Sequence, residues 1–172
     1  MSGKDVLEVG IGCGRIARRV LKQGCRSLTG LDISPGTIAA AKADLAMFPE
    51  VELVLADIVD FLRPESFHAA FSVLTMMHVK DKQRALRNIV DSLRPGGHLV
   101  LSIDRASDSL DFGNWTVTLY PWAPESYARA LSSMGCEVTD PIPLIDTWVS
   151  PKGKKSGTYG QEIATLVKAT RR

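Results

Sequence analysis

The stretch EVGIGCGRI, residues 8–16, places three glycines at alternate positions directly behind a short apolar run at 6–9. A run of that length, with valine at both ends and glycine behind it, predicts a buried strand. Glycines in a strand-to-helix turn let the backbone approach a ligand, and the N–H groups that open the helix can bind it. The stretch therefore predicts a ligand-binding turn at residues 10–14.

Strand and helix patterns alternate outward from this turn. We predict strands at 27–33, 51–56, 67–75 and 98–103, and helices at 15–22, 37–46, 81–93 and 124–134. Residues 58–66 are expected to form at most one helical turn, and 104–122 to be irregular. Two final strands, 137–148 and 163–169, have no helix between them, so we expect an antiparallel pair at one edge of the sheet.

The alternation predicts an α/β fold in one domain that covers residues 1–172. We expect a Rossmann-like, doubly wound sheet of seven strands, mostly parallel with an antiparallel edge strand, and helices on both faces. Ligands bind such sheets at the carboxyl ends of the strands, where the strand order reverses. The first strand-to-helix turn lies at that point.

Composition, charge and cysteine count narrow the functional class. The net charge of +2 gives no support for a nucleic-acid or anionic-membrane partner. No apolar run approaches the roughly 18 residues that a membrane span needs, and the N-terminus has no signal-peptide pattern. The cysteines, odd in number and without a CxxC pair, argue against a disulfide framework and against a zinc site. We therefore expect a soluble cytoplasmic protein without a metal.

The spacing of the glycines separates three classes of ligand site. A phosphate-binding P-loop ends in Gly-Lys-Ser/Thr, whereas Gly14 is followed by Arg15. A dinucleotide site has the pattern G-x-G-x-x-G, whose third glycine, counted from Gly10, would fall at Arg15. The pattern here is E-V-G-I-G-C-G, with Glu8 two residues ahead of the first glycine, and it fits neither class.

That pattern resembles the first motif of the class I S-adenosylmethionine-dependent methyltransferases. Four later segments are similar to the following segments of that family, in family order up to residue 103: LTGLDISPGTIAAAK, VLADIVDF, FHAAFSVLTMMHV and LRPGGHLVLSI. The resemblance implies S-adenosyl-L-methionine as cofactor, S-adenosyl-L-homocysteine as product and methyl transfer as the reaction. The Asn/Asp-Pro-Pro-Phe/Tyr signature of methyltransferases that act on bases or glutamine is missing behind the fourth strand, so we expect a small-molecule acceptor.

The resemblance also assigns cofactor-binding residues. Asp32 would accept hydrogen bonds from the ribose hydroxyls, as a carboxylate can, and Asp57 would accept one from the adenine amino group. The alternative for Asp32 is a charge at the N-terminus of the next helix. Glu8 would arrange the loop backbone, and Cys13 is interpreted as a small turn residue rather than a nucleophile. The predicted set, in which Ile33 and Ile58 wall the adenine, is Glu8, Gly10, Ile11, Gly12, Cys13, Gly14, Asp32, Ile33, Ala56, Asp57, Ile58, Ser72 and Val73.

Catalysis and substrate binding are assigned to residues behind the fourth and fifth predicted strands. Methyl transfer from a sulfonium mainly requires alignment of the acceptor and exclusion of water, and a base only where the acceptor must lose a proton. His78, just behind the fourth strand, is the candidate base; the alternative is that it caps the next helix or packs the loop. Residues predicted to contact the substrate, with loop packing as the alternative, are Met77, Asp104, Trp115, Tyr120 and Trp122.

Members of the resembled family usually carry one or two helices ahead of the first strand, and these cover the cofactor. Here the first strand begins by Val6. Three explanations are open: a second copy in a homodimer or another partner chain covers the open side, the substrate site is built from the inserts behind strands four and five, or the chain is a truncated, inactive or cofactor-binding-only form. The alternative function is a catalytically silent cofactor-binding or partner module that needs another chain to complete its site.

Overall fold

The computed structural model describes residues 2–103, 108–111, 113–114, 116–151 and 153–172. Its first half contains β1 at Asp5–Val9, α1 at Arg15–Leu21, β2 at Ser27–Asp32, α2 at Pro35–Asp44, β3 at Val51–Leu55 and β4 at Phe67–Val73. Its second half contains a 3-10 turn at Met76–His78, α3 at Lys82–Ser92, β5 at Leu93–Ile103, β6 at Ser109–Asp111, β7 at Thr116–Thr118, α4 at Pro124–Ser133, β8 at Cys136–Val138, β9 at Ile142–Ile145 and β10 at Glu162–Arg171. None of the helices in this described part is long and apolar enough to cross a membrane.

Two helices begin at residues whose side chains cap them. Ser34 accepts a hydrogen bond from the Thr37 backbone N–H at 3.2 Å, and Pro35 occupies the first position of α2. Asp81 accepts a hydrogen bond from the Arg84 N–H at 3.0 Å at the start of α3. The buried face of α3 is at most 2% exposed at Ala85, Leu86, Ile89 and Val90. Burial of that face holds α3 on the sheet.

The strands form one main sheet in the order β3-β2-β1-β4-β5-β10-β8, with β9 also paired to β10. Strands β1 to β5 are parallel, and β10 runs antiparallel to β5, β8 and β9. The chain order reverses at β1, which lies between β2 and β4, so the switch point is behind β1. The predicted α/β fold, with a mostly parallel sheet and an antiparallel pair at one edge, is confirmed.

Helices cover both faces of this sheet. Because neighbouring residues of a strand point to opposite faces, Val6 packs in an apolar cluster with Ala17 of α1, whereas Leu7 packs in a second cluster with Leu86 of α3 and Tyr127 of α4. All five side chains are at most 1% exposed. The two apolar layers fix β1 from both sides and so fix the glycine turn behind it.

Two details of the predicted fold are wrong. The predicted strand 137–148 is divided into β8 and β9, because Pro141 between them has no N–H to donate to the sheet. Within the described residues, the main sheet consequently has eight strands rather than seven. Part of the segment 104–122, expected to be irregular, forms the antiparallel hairpin β6–β7. Residues 58–66 contain a hydrogen-bonded turn, in which the Asp60 N–H donates to the Asp57 carbonyl at 3.0 Å.

Candidate functional site

The glycine turn lies where β1 ends, against the ends of its two neighbours. The N–H groups of Gly10 and Ile11 both donate to the Leu31 carbonyl of β2, each at 2.8 Å. Gly10 has a φ of +77°, and a Cβ placed on it would lie 2.1 Å from Thr75 Oγ1 behind β4. Only glycine meets both demands, so this residue lets the turn fit between β2 and the segment behind β4.

Asp32 ends β2 and holds the turn from the other side. Its Oδ2 accepts a hydrogen bond from the Gly12 N–H at 3.2 Å, and its Oδ1 accepts one from the Ser34 N–H at 3.0 Å. An ionised carboxylate has about four acceptor positions, so each oxygen can accept a further donor. Asp32 therefore organises the turn and the start of α2, and it can also accept hydrogen bonds from the hydroxyls of a ligand.

Asp57 lies behind β3, next to the end of β2. Its Oδ1 accepts a hydrogen bond from the Val59 N–H at 3.0 Å. The neighbouring Ile58 is 4% exposed, whereas Ile33, the residue behind Asp32, is 70% exposed. An exposed isoleucine beside two carboxylates offers an apolar surface to a flat ligand that also carries polar groups.

A cavity of about 750 Å³ opens between these strand ends, and we call it the strand-end cavity. Its volume falls in the range of roughly 300–1,000 Å³ typical of cofactor and ligand sites. Ten of the predicted site residues line it: Gly10, Gly12, Asp32, Ile33, Ala56, Asp57, Ile58, Val73, His78 and Tyr120. Nine residues that the sequence did not single out line it as well: Val9, Leu31, Thr37, Val59, Leu74, Thr75, Val79, Lys80 and Asp81.

Leu74 and Thr75 are the most informative of the unpredicted residues, since they continue β4 into the cavity wall. Leu74 has a φ of +52° and donates its N–H to the Ser102 carbonyl of β5 at 3.1 Å. A leucine in the left-handed region is strained, and such residues cluster at functional sites. Their position directly behind a parallel strand was the available signal, since ligands bind at strand ends.

Seven predicted residues lie in the described part of the chain but do not line the cavity: Glu8, Ile11, Cys13, Gly14, Ser72, Met77 and Trp122. Ser72 is fully buried, and its hydroxyl donates to the Val9 carbonyl at 3.0 Å. The Trp122 ring packs edge-on against Tyr127, with 5.4 Å between ring centroids. Asp104 and Trp115 lie outside the described residues. The roles assigned to all of these residues stay predictions.

Glu8 lies in the interior beneath the glycine turn. It is 2% exposed, it accepts a hydrogen bond from the Ala17 N–H of α1, and its Oε2 has no partner among the described residues. Burial raises the pKa of Glu8 to about 8, against the lowering effect of the Ala17 N–H. The carboxyl group is therefore mostly protonated at neutral pH, and it joins β1 to α1 from below the turn.

His78 stands on the rim of the cavity at the end of the 3-10 turn. Its side chain is exposed, and its backbone N–H donates to the Thr75 carbonyl at 2.9 Å. Asp81 caps α3 with its own carboxylate, so the interpretation of His78 as the helix cap is wrong. An imidazole in this position can take up a proton from a bound molecule and release it to solvent. Its role as a base stays a prediction.

The residues of the cavity fit S-adenosylmethionine. Asp32 offers acceptors for a ribose diol, and Asp57 offers one for an amino group beside the apolar Ile58. The turn is open at Gly12, where an added Cβ would meet nothing within 4 Å. Within the described ranges, no group of three or more His, Cys, Asp and Glu side chains is placed to hold a metal ion.

Comparison with known proteins agrees with this geometry. Residues 7–101, more than half of the chain, match the family model described as "Methyltransferase domain". An O-methyltransferase of Aspergillus sclerotiorum is 29% identical over 105 residues, which cover 59% of this chain and 40% of that protein. The match therefore spans less than half the length of this curated relative.

Solved structures share the fold over nearly the whole chain. An S-adenosylmethionine-dependent methyltransferase of Mesorhizobium loti has a TM-score of 0.81 at 21% identity, with 99% of this chain and 92% of that chain covered. A methyltransferase in complex with the Trm112 activator of Haloferax volcanii has a TM-score of 0.79 at 19% identity, with 98% and 82% covered. With residues 7–101 matched, the chain belongs to the methyltransferase domain family, and it shares the fold of S-adenosylmethionine-dependent methyltransferases.

Proposed function

We propose that the protein transfers the methyl group of S-adenosyl-L-methionine to a small-molecule acceptor. The observation that carries the proposal is the continuity of the strand-end cavity, which extends from Gly10, Asp32 and Asp57 to His78 and Tyr120. One cavity thus offers adjacent positions for a nucleoside cofactor and for an acceptor. Direct displacement requires this arrangement, because the acceptor atom must be aligned with the methyl group.

On the cofactor side, the residues of this chain bind and orient. Bound S-adenosylmethionine supplies a methyl group on a positively charged sulfur. Asp32 would hold the ribose hydroxyls and Asp57 the adenine amino group, while Ile33 and Ile58 would cover the ring faces. The glycine turn would lie along the methionine part, because it presents backbone without bulky side chains.

On the acceptor side, the residues exclude water and manage a proton. Leu74 and Val79 give this part of the cavity apolar walls, and Tyr120 bounds it from the segment behind β7. His78 would take up the proton from an acceptor hydroxyl as the oxygen–methyl bond forms. An acceptor whose nucleophilic atom carries no proton would not need this step.

Titration calorimetry with S-adenosylhomocysteine tests the cofactor half of the proposal. The wild-type protein should bind it, and Asp32→Asn should weaken binding by about ten-fold or more, since charge-assisted hydrogen bonds contribute about 1.5–3 kcal/mol. Asp140→Asn, which removes an exposed carboxylate between β8 and β9, should leave the affinity unchanged. Failure of the wild-type protein to bind would refute the proposal.

Transfer of labelled methyl groups to a panel of small hydroxyl and amino compounds tests the acceptor half. Cofactor binding without transfer to any of them would favour the catalytically silent module.

A second copy or a partner chain over the cavity rim is part of the proposal. The exposure of two apolar residues supports it, since Ile33 is 70% exposed and Leu74 is 40% exposed. Light scattering on the purified chain measures self-association. The unpaired cysteines support a reducing, cytoplasmic location.

A further inference from the structure

Lys82, the first residue of α3, is buried although a lysine at a helix start ordinarily points into water. Its side chain is 1% exposed. Lysine is almost never fully buried unless its ammonium group is paired. Here the partners are backbone carbonyls, because Nζ donates to the Val79 carbonyl at 2.6 Å and to the Tyr120 carbonyl. The ammonium group therefore joins two segments that are about forty residues apart in the chain.

Both segments form walls of the strand-end cavity. Val79 and Tyr120 line it directly, whereas Lys82 lies behind them. Tyr120 is held at both of its backbone groups, since its N–H donates to the Met77 carbonyl at 2.8 Å and its carbonyl accepts from Lys82. The rings of Tyr120 and Trp122 lie 5.8 and 5.9 Å from Nζ, which is within the distance at which a cation attracts an aromatic face.

We propose that Lys82 is a positioning residue whose ammonium group fixes the Tyr120 segment against the 3-10 turn, and thereby sets the cavity wall that faces His78. The Tyr120 segment follows the short hairpin β6–β7 in the chain. This hairpin forms a sheet of its own and does not pair with the main sheet. A wall attached in this way depends on its local contacts. The proposal rests on the proposed function only where it treats the cavity as the site of methyl transfer.

The attachment is expected to weaken in alkaline solution. Burial lowers the pKa of Lys82 to about 8, whereas its carbonyl partners and the two rings favour the charged form. A neutral amine still has two N–H donors, but it loses the charge assistance of the hydrogen bonds and the attraction to the rings. Other ionisable groups on the surrounding elements are His78, Lys80, Asp81, Tyr120, Tyr127 and Arg129.

Hydrogen exchange resolved at single amides tests the proposal. In Lys82→Met, which keeps the length of the side chain, the Tyr120 amide should exchange about ten-fold faster, because the hydrogen bond to Lys82 no longer holds its segment. The amides of β1 and β4 should exchange as in the wild-type protein. Lys42→Met, which removes an exposed lysine of α2, is the matched control and should change neither set. Equal exchange at Tyr120 in Lys82→Met and wild type would overturn the proposal, and so would equal acceleration in every strand.

The fluorescence of Trp122, followed in a Trp115→Phe, Trp148→Phe background, provides a second readout on folded protein. It should titrate with a midpoint near the pKa of Lys82, about 8, and the transition should vanish in Lys82→Met. Persistence of the same transition in that variant would contradict the proposal. Calorimetry with S-adenosylhomocysteine separates the proposed function from the role of Lys82. If neither the wild-type protein nor Lys82→Met binds it, the proposed function fails, while the comparison of hydrogen exchange still decides the role of Lys82.

Discussion

Replacing Gly10 by alanine tests the close approach between the glycine turn and the segment behind β4. An alanine at a φ of +77° costs about 1–2 kcal/mol, because the left-handed conformation crowds its Cβ. The new Cβ would also lie 2.1 Å from Thr75 Oγ1 and 2.4 Å from Cγ2, and such overpacking costs about 1–3 kcal/mol. The expected loss of about 2–5 kcal/mol is a large share of the roughly 5–15 kcal/mol that stabilises a typical protein.

Gly12→Ala is the matched control for this experiment. Its φ is +56°, but an added Cβ would meet no atom within 4 Å, so only the backbone cost of about 1–2 kcal/mol applies. Urea unfolding followed by circular dichroism measures both losses. Thr75→Ala in the Gly10→Ala background should recover part of the stability, because it removes the two nearest atoms. Equal losses for Gly10→Ala and Gly12→Ala would refute the reasoning.

Two further predictions concern Glu8 and Ser34. The pKa of Glu8 is raised to about 8 from 4.5, so the folded state holds the additional proton between these values, and the free energy of unfolding should fall as pH rises from 4.5 to 8. Urea unfolding of Glu8→Gln at several pH values should show a smaller dependence of stability on pH. Above pH 8 the variant should be more stable than the wild-type protein by a few kcal/mol, because one unit of pKa shift corresponds to about 1.4 kcal/mol. An unchanged dependence on pH would contradict the burial argument. Ser34→Ala should lower the free energy of unfolding by about 1 kcal/mol through loss of the α2 cap. Ser34→Thr, which keeps a hydroxyl, should lose less stability. Equal losses in the two variants would show that the lost cap is not the cause of the destabilisation.

The parallel strands β1 to β5 and the meeting of Asp32 and Asp57 could be predicted because both follow from local patterns. Each acid directly follows a strand, and parallel strands bring their carboxyl ends to the same edge. The placement of Ser72 does not follow from the alternation of side chains along a strand, since Leu31 and Asp32, which are neighbours in β2, both line the cavity. Ser72 is fully buried, and its hydroxyl donates to the Val9 carbonyl of β1.

Other features depend on contacts that a linear pattern does not contain. Lys82 follows Asp81 at a helix start, and its sequence context is that of an exposed charge. It is buried because Tyr120 and Trp122, far along the chain, lie over it. The division of the predicted strand 137–148 had a visible cause in Pro141, but the apolar run behind it, at 142–145, concealed the break.

The position of β10 has a consequence for how the protein is made. This strand is the last of the sheet to be synthesised, yet it lies between β5 and β8 and not at an edge. Until residue 171 has left the ribosome, β5 therefore presents an unpaired edge, which can pair with a foreign strand. The nascent chain can assemble β1 to β5 and the glycine turn early. The pairing that closes the sheet has to wait for the final strand.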